Sequence, residues 1–313
     1  MKKLLAVIVA TLLCLGAAAV AEETYTVGIC QLVQHVALDA ATQGFQDAIT
    51  EKLGDAVTFD VQNASGDSNT CSTIVNTFVS DGVDLIIANA TPALQAAVAA
   101  TGEIPILGTS VTDYATALDI DDWTGATGIN VSGTSDLAPL DQQAQMLKEL
   151  FPDAATVGIL YCSAEPNSKY QAEVITGCLT ELGYTCEEYT FADSNDVASV
   201  TQSACDGSDV LYIPTDNTAA SCTEAIRNVV EPAGKPVIAG EEGICAGCGV
   251  ATLSISYYDL GYATGEMACE VLTGGADVAA MDVRFAPNVT KEYNAELCQI
   301  LGVSVPEDYV AIG

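Results

Sequence analysis

The chain has 313 residues, with 9 Lys and Arg against 42 Asp and Glu and a formal charge of −33, a balance that excludes proteins gripping phosphate backbones through basic side chains. Half of its residues are apolar and 16 % are charged, which marks a globular rather than a disordered chain, long enough for two compact units. Such an acidic surface favours cationic or zwitterionic partners over anionic ones.

Met1-Lys2-Lys3 forms a basic n-region, Leu4 to Gly16 an apolar h-region, and Ala19-Val20-Ala21 a small-x-small cleavage site. The expected segment is a signal peptide cut after Ala21, because the apolar stretch ending at Ala21 is short for a membrane span. A lipoprotein signal places a small residue before an early Cys, whereas Leu13 precedes Cys14, so lipid anchoring is the lesser route. Cleavage leaves seven basic residues, a charge of −35 and eleven cysteines. In an exported chain those cysteines imply disulfides with at least one left over. The local candidates are Cys178 with Cys186, Cys205 with Cys222, Cys245 with Cys248, and Cys269 with Cys298.

Thr26-Val27-Gly28-Ile29 recurs as Thr156-Val157-Gly158-Ile159, an offset of 130. Asp67-Ser68-Asn69 returns as Asp193-Ser194-Asn195, Asp81 to Leu85 as Asp206 to Val210, and Ile104-Pro105-Ile106 as Lys235-Pro236-Val237. Collinear matches at nearly constant offset indicate two related halves. Each half alternates β-branched runs with helical stretches, which predicts α/β lobes with doubly wound parallel sheets. Strands are expected at 26–31, 57–62, 83–88, 104–108 and 126–131, then at 156–161, 186–191, 209–213, 236–239 and 250–255. Leu38, Ala41, Phe45, Ile49 and Leu53 mark an amphipathic helix ending at Gly54, and Ser168 to Leu182 is its counterpart. A helix from Tyr258 to Leu272, two short strands and a helix from Asn294 to Leu301 complete the plan.

Parallel sheets bind ligands beyond the carboxyl ends of their strands, so the βα loops of two facing lobes should frame one cleft. Thr91 precedes Pro92 and a run of alanines, which makes it a helix N-cap where a ligand carboxylate can dock on free N–H groups, or a plain cap with no ligand. Thr109 and Ser110 add hydroxyls from the next loop. Glu242 and Asp216 occupy loops of the second half, where a buried carboxylate would need a cation such as a ligand ammonium. Asp216 can equally be one more solvated acid, whereas Gly243 after Glu242 permits close backbone approach. Tyr257, Tyr161 and Tyr212 are candidate aromatic walls, the last two equally core residues on strands. Trp123 reads as a surface-loop residue, and His35 either touches ligand or holds its loop. In Cys245-Ala-Gly-Cys248, a zinc site lacks further ligands, since His35 is the only histidine. The surrounding glycines suggest a loop rather than the helix start of a redox motif.

Gly28-Ile29-Cys30-Gln31 followed by His35 to Ala41 resembles the opening of ABC-transporter substrate-binding proteins of the tryptophan/tyrosine type, in the type I periplasmic-binding superfamily. Thr91-Pro92-Ala93, Ser110 to Asp113, Pro214-Thr215-Asp216-Asn217, Glu241-Glu242-Gly243 and Tyr257 to Gly261 continue the resemblance in order. It implies two lobes joined by three hinge crossovers, with 22–133 plus 256–286 in lobe 1 and 134–255 plus 287–313 in lobe 2, after the signal peptide at 1–21. It also implies a monomer that captures an aromatic or related amino acid and delivers it to ABC permease subunits, with no cofactor or metal. By similarity Glu242 holds the α-ammonium, Thr91 and Ser110 hold the carboxylate, and Gln31, Asp216, Asn217 and Tyr257 line the cleft. Cys162, the cysteine load and the acidity depart from the family pattern. The alternatives are an exported sensor of the same fold for a sugar or nucleoside, and a redox enzyme using Cys245 and Cys248. The sequence holds no nucleophile elbow or P-loop that would favour another enzyme.

Overall fold

The computed structural model describes residues 24–286 and 288–312. The signal-peptide segment and Cys14 lie outside the described residues. The first half builds β1 (Tyr25–Gln31), α1 (Val36–Leu53), β2 (Val57–Asn63), α2 (Ser68–Asp81), β3 (Leu85–Asn89), α3 (Thr91–Ala100), β4 (Ile106–Val111), α4 (Tyr114–Leu118) and β5 (Val131–Ser135). The second half repeats the plan with α5 (Leu140–Leu150), β6 (Thr156–Cys162), α6 (Pro166–Glu181), β7 (Thr185–Phe191), α7 (Val197–Gly207), β8 (Val210–Ile213), α8 (Asn217–Ser221), α9 (Thr223–Ala233), β9 (Val237–Ala239), α10 (Glu242–Cys248) and β10 (Ala251–Ser254). The chain then returns to the first lobe for α11 (Tyr257–Gly274) and β11 (Arg284–Phe285), and ends in the second with β12 (Thr290–Tyr293), α12 (Ala295–Leu301) and β13 (Val310–Ala311).

Two sheets result, ordered β11-β5-β4-β3-β1-β2 and β13-β12-β10-β9-β8-β6-β7. The chain passes between them after β5, after β10 and after β11, which are the three crossovers of a type I periplasmic-binding fold. Both faces of each sheet are buried, so neighbours along a strand enter different cores. In β3, Leu85 and Ile87 pack with Phe45 and Met267 under α1 and α11, while Ile86 and Ala88 pack with Phe78 and Leu94 under α2 and α3. That two-sided burial is why the strands read as apolar runs rather than as alternating patterns.

The duplication extends to single atoms. Thr26 N–H donates to Asp84 Oδ2 at 2.7 Å at the start of β1, and Thr156 N–H donates to Asp209 Oδ2 at 3.0 Å at the start of β6. Val27 stands opposite Leu85 and Val157 opposite Val210, so the two lobes share strand register as well as sequence. The third match is looser. Asp67 caps α2 through Thr70 N–H, whereas Asp193 only closes a turn on Asn195 and α7 begins later, at Val197.

The fifth strand departs from expectation, running over Val131–Ser135 instead of 126–131. Gly125 and Gly128 adopt positive φ, and Thr127 Oγ1 donates to Val131 O at 2.5 Å, so the 126–130 segment folds into a turn. The displacement moves the carboxyl end of the strand to Asp136. Two further differences are the short strand β13 and helix α10, which covers the stretch read as a glycine-rich loop. Glu241 caps α10 by accepting from Gly243 N–H and Ile244 N–H, which suffices to start a helix there.

Lobe 1 is closed on one face by the packing of α1 against α11. A Cβ on Gly261 would lie 1.9 Å from Ala41 O, and one on Gly44 2.1 Å from Tyr258 O, so these helices touch backbone to backbone. Because α11 begins at the second crossover, this contact fixes where the hinge enters lobe 1. Gly261→Ala should therefore destabilise the protein by about 1–3 kcal/mol in urea unfolding, as overpacking does. An unchanged midpoint would show that the helices separate without cost.

Candidate ligand-binding cleft

The order β5-β4-β3 sets Asp136, Ser110 and Thr91 side by side along one carboxyl edge of the lobe 1 sheet. Adjacent strands are roughly 4.8 Å apart. Ala90 rather than Thr91 is the N-cap of α3; Thr91 is the helix's first residue with Pro92 behind it, and its buried Oγ1 has no partner. Ser110 has φ 55 and Ala90 has φ 98, the left-handed region that side chains rarely adopt. These two loops are tied by Ala90 N–H donating to Thr109 O at 3.0 Å, and the β4–β5 register shifts between Gly108 and Val111. Strain of this kind costs on the order of 1–3 kcal/mol per residue, and it re-aims side chains at a strand end. Ser110 Oγ is also buried without a partner.

Asp136 is the first residue after β5. Its Oδ2 accepts from Tyr257 Oη at 2.9 Å, while its Oδ1 is buried with no partner. Burial pushes its carboxyl up to about 6, against the opposing pull of the Tyr257 phenol and of the nearby Thr112 hydroxyl. Tyr257 itself opens α11, so hinge residues from two crossovers meet at this carboxylate.

Lobe 2 presents three more buried acids, and helix starts occupy them. Glu165 accepts from Asn217 N, Asn217 Nδ2, Thr218 N and Thr218 Oγ1 at the start of α8, and from Asn167 Nδ2 at 3.1 Å. Asp216 caps α8 through Ala219 N–H and also accepts from Cys162 N–H, and burial beside Glu165 raises its carboxyl to about 7. Glu241 caps α10, and burial raises it to about 7 even though the Gly243 and Ile244 amides oppose the shift. Two side-chain bonds span the cleft. His35 Nε2 lies 3.3 Å from Asn217 Oδ1, and Gln171 Nε2 donates to Thr112 Oγ1 at 3.3 Å.

Among the predicted residues, Thr91, Ser110, Asn217 and Tyr257 come to this seam with the geometry given above. Glu242 does not enter it. As the first residue of α10 it is exposed on the rim of a groove shared with Tyr258 and Glu292, and the buried acid of the pair is its neighbour Glu241. Gln31 is tied up within lobe 1, donating to Asp39 and Val33 O and accepting from Thr42. Thr109 faces the other side of its strand, where it accepts from Thr134, whose hydroxyl also meets Thr264. Asp216 is buried rather than solvated, with both oxygens used inside lobe 2.

Tyr161 and Tyr212 are core residues bonded to Glu188 and Gln143, and Trp123 packs half-buried against the lobe 1 core instead of standing on the surface. None of the four candidate disulfides is formed, and all eleven described cysteines are free thiols. Cys269 and Cys298 belong to the cores of different lobes, while Cys245 and Cys248 share one helix and bury as small apolar side chains. Asp136 escaped the sequence reading because the misplaced fifth strand hid its strand-end position. Glu165, Asn167 and Thr112 stood inside predicted loops without a feature to single them out.

Two lobes of a type I periplasmic-binding fold, with unpartnered polar groups at the carboxyl ends of their strands, define a solute-binding protein. The family model for ABC transporter substrate binding proteins matches residues 26–312, and the chain belongs to that family. It is 39 % identical over 251 residues to the tyrosine-binding protein of Clostridioides difficile, covering 79 % of this chain and 72 % of that one. It also resembles the ABC domain from Streptococcus pneumoniae solved in complex with L-Trp, with 32 % identity, 91 % and 97 % of the two chains covered and a TM-score of 0.87. The ligand-free, open structure of a substrate-binding protein with adhesive properties from Clostridium difficile has 37 % identity, 92 % and 99 % coverage and a TM-score of 0.69. The chain superposes better on the less identical of these two structures. Its lobes are therefore disposed as in the L-Trp complex, in agreement with the side-chain bonds that span the cleft.

Raised carboxyl groups make a stability prediction whose sign is set by linkage. A buried acid whose folded value exceeds its unfolded value stabilises the fold below the unfolded value and ceases to as pH rises through the folded one. Asp136 at about 6, with Asp216 and Glu241 at about 7, should make the ligand-free protein lose stability as pH rises from about 4 to about 7. Thermal unfolding across that range tests this, with Asp136→Asn expected to flatten the slope. A wild-type curve that rises towards pH 7 would contradict it.

Proposed function

We propose that this protein is the extracytoplasmic capture component of an ABC importer and that its cargo is an aromatic amino acid bound as the zwitterion. The observation that carries the reading is the burial of Asp136 and Glu241 with no basic side chain paired to either among the described residues, Asp136 adding to the upward shift of Glu241. Buried carboxylates of this kind need a cation or must take up a proton. A ligand α-ammonium resting against Asp136 Oδ1, with Glu241 nearby, supplies that cation. The ligand carboxylate then falls one to two strands along the same edge, on Ser110 Oγ, Thr91 Oγ1 and the first-turn amides of α3, where the helix dipole favours negative charge.

Continuing past β3 the sheet edge reaches β1, so the ligand side chain extends towards a cavity of about 180 Å³ where Leu32, Val33 and Pro92 face a more polar lining that includes Glu165, Asp193 and Asn217. The ligands named for the two similar proteins are tyrosine and tryptophan, aromatic amino acids that each carry one polar group on the ring system. No bond-making chemistry is required of the site. Ligand held by both lobes stabilises the closed arrangement by its differential contacts, and the closed form is what permease subunits would engage.

Isothermal titration of the mature chain with L-tyrosine and L-tryptophan should give saturable 1:1 binding, weakened about tenfold or more by Asp136→Asn. Affinity should also fall from pH 8 to pH 5, because protonated Asp136 and Glu241 must release a proton to accept the ammonium. Full affinity in Asp136→Asn would remove the ammonium assignment.

A further inference from the structure

Cys30 lies on the face of β1 that α2 covers, fully buried in the same apolar cluster as Cys71, Val75 and Phe78 of that helix. The seating of helix on strand is set two residues earlier, where a Cβ on Gly28 would fall 2.6 Å from the Phe78 ring. Gly28 and Cys30 share one strand face, and Cys71 stands two turns before Phe78 on one face of a crossover helix that runs back against the strand direction. Cys71 is thereby brought over Cys30, and the two thiols hydrogen-bond to each other. The flanking loops are fixed as well. Ala64 N–H donates to Gln31 O at 2.9 Å, Gly66 N–H donates to Leu32 O at 2.8 Å, and Asp67 caps α2 by accepting from Thr70 N–H at 2.6 Å.

The two sulfurs differ in character. The hydrogen bond from Cys30 holds Cys71 below the usual thiol range, and a place in the first turn of α2 adds the positive end of a helix dipole. The same bond, together with burial and the charge on Cys71, pushes Cys30 up. Cys71 is therefore the nucleophile of the pair, and Cys30 keeps its proton longer. We propose that Cys30 and Cys71 form a site of oxidative modification, joined as a disulfide when the chain folds in an extracytoplasmic compartment that contains thiol–disulfide oxidants. In the first step the Cys71 thiolate attacks an external disulfide; one of its sulfurs leaves as a thiolate and the other stays on Cys71. Cys30 then gives up its proton and attacks the Cys71 sulfur, which expels the second thiolate. Two protein thiols are oxidised, one external disulfide is reduced to two thiols, and the two protein protons end on those thiols. Both side chains are closed to solvent in the folded lobe, so the reaction precedes the sealing of α2 against β1. The bond closes the loop from residue 30 to residue 71. It also ties the stretch holding Leu32 and Val33 to the 65–68 segment, two walls of the cleft cavity on the lobe 1 side. The pairing does not depend on what the cleft binds.

The experiment unfolds the mature chain and refolds it with glutathione disulfide or with dithiothreitol, followed by alkylation, peptic digestion and mass spectrometry. Refolding with the oxidant should give a cross-link between Cys30 and Cys71 as the dominant disulfide. The oxidised protein should melt about 5 °C or more above the reduced protein, because the bond restricts the unfolded chain. Cys71→Ala should lose both the cross-link and the gap between its oxidised and reduced melting temperatures, a comparison made within the variant and so insensitive to its absolute stability. Should that variant fail to fold, the wild-type peptide map decides alone. Cys30 and Cys71 recovered alkylated after oxidative refolding, carrying glutathione without a cross-link, or bonded chiefly to other cysteines would overturn the proposal. So would equal melting temperatures for oxidised and reduced wild type.

Discussion

The arrangement of the cleft follows from placing carboxylates in a closed protein seam without giving them protein cations. With seven basic residues in the whole of the chain after Ala21, and those in ion pairs of the described structure standing on outer surfaces, the interior acids have only hydrogen-bond donors to rely on. Helix starts supply those donors to Glu165, Asp216 and Glu241. Asp136 is treated differently: it follows a strand rather than preceding a helix turn, receives one phenol at Oδ2, and keeps Oδ1 free. The unpaired acceptor is thus a consequence of position in the chain, at the first crossover, where the start of α11 offers Asp136 a phenol from its first residue.

The two halves share ancestry in their strands and differ in their loops. The Asp84 and Asp209 bonds show the same device locking β1 to β3 and β6 to β8, and the Gly28 and Gly158 positions occupy equivalent registers. At the strand ends the symmetry is lost. Lobe 1 leaves Thr91 Oγ1, Ser110 Oγ and Asp136 Oδ1 without partners, whereas Glu165, Asp216 and Glu241 of lobe 2 are engaged within their own lobe, which leaves Asn167 Oδ1 unpartnered at its strand ends. On the amino-acid reading, lobe 1 therefore carries the zwitterion and lobe 2 closes over it as a preformed surface.

Much of this was legible from sequence because it depends on period and repetition. Apolar runs, the 130-residue offset and the glycine helix stops located most of the strands and long helices, since two-sided burial and C-caps leave direct marks on composition. What was not legible depends on side-chain orientation at turns. Nothing local distinguishes Glu241 from Glu242, yet the N-cap geometry of α10 buries the first and exposes the second. Thr109 and Ser110 are similarly adjacent, and a left-handed φ at Ser110 separates their roles. The five-residue slip of β5 had the largest effect, because it moved the strand end, and with it the buried acid, out of view.

The cysteines show the same limit from another direction. Eleven thiols in one chain suggested covalent staples, but the described structure distributes them among the two lobe cores, where thiols pack as small apolar groups. On the capture reading, a protein that opens and closes about three crossovers is held in each state by packing within its lobes and by weak bonds between them. The contacts His35 to Asn217 and Gln171 to Thr112, both at 3.3 Å, are of that weak kind. At roughly 0.5–1.5 kcal/mol each, they are too small to trap the closed form on their own. On the amino-acid reading, the larger stabilisation of closure comes from the ligand that neutralises Asp136 and pairs with Thr91 and Ser110, which couples lobe closure to cargo rather than to the protein's own side chains.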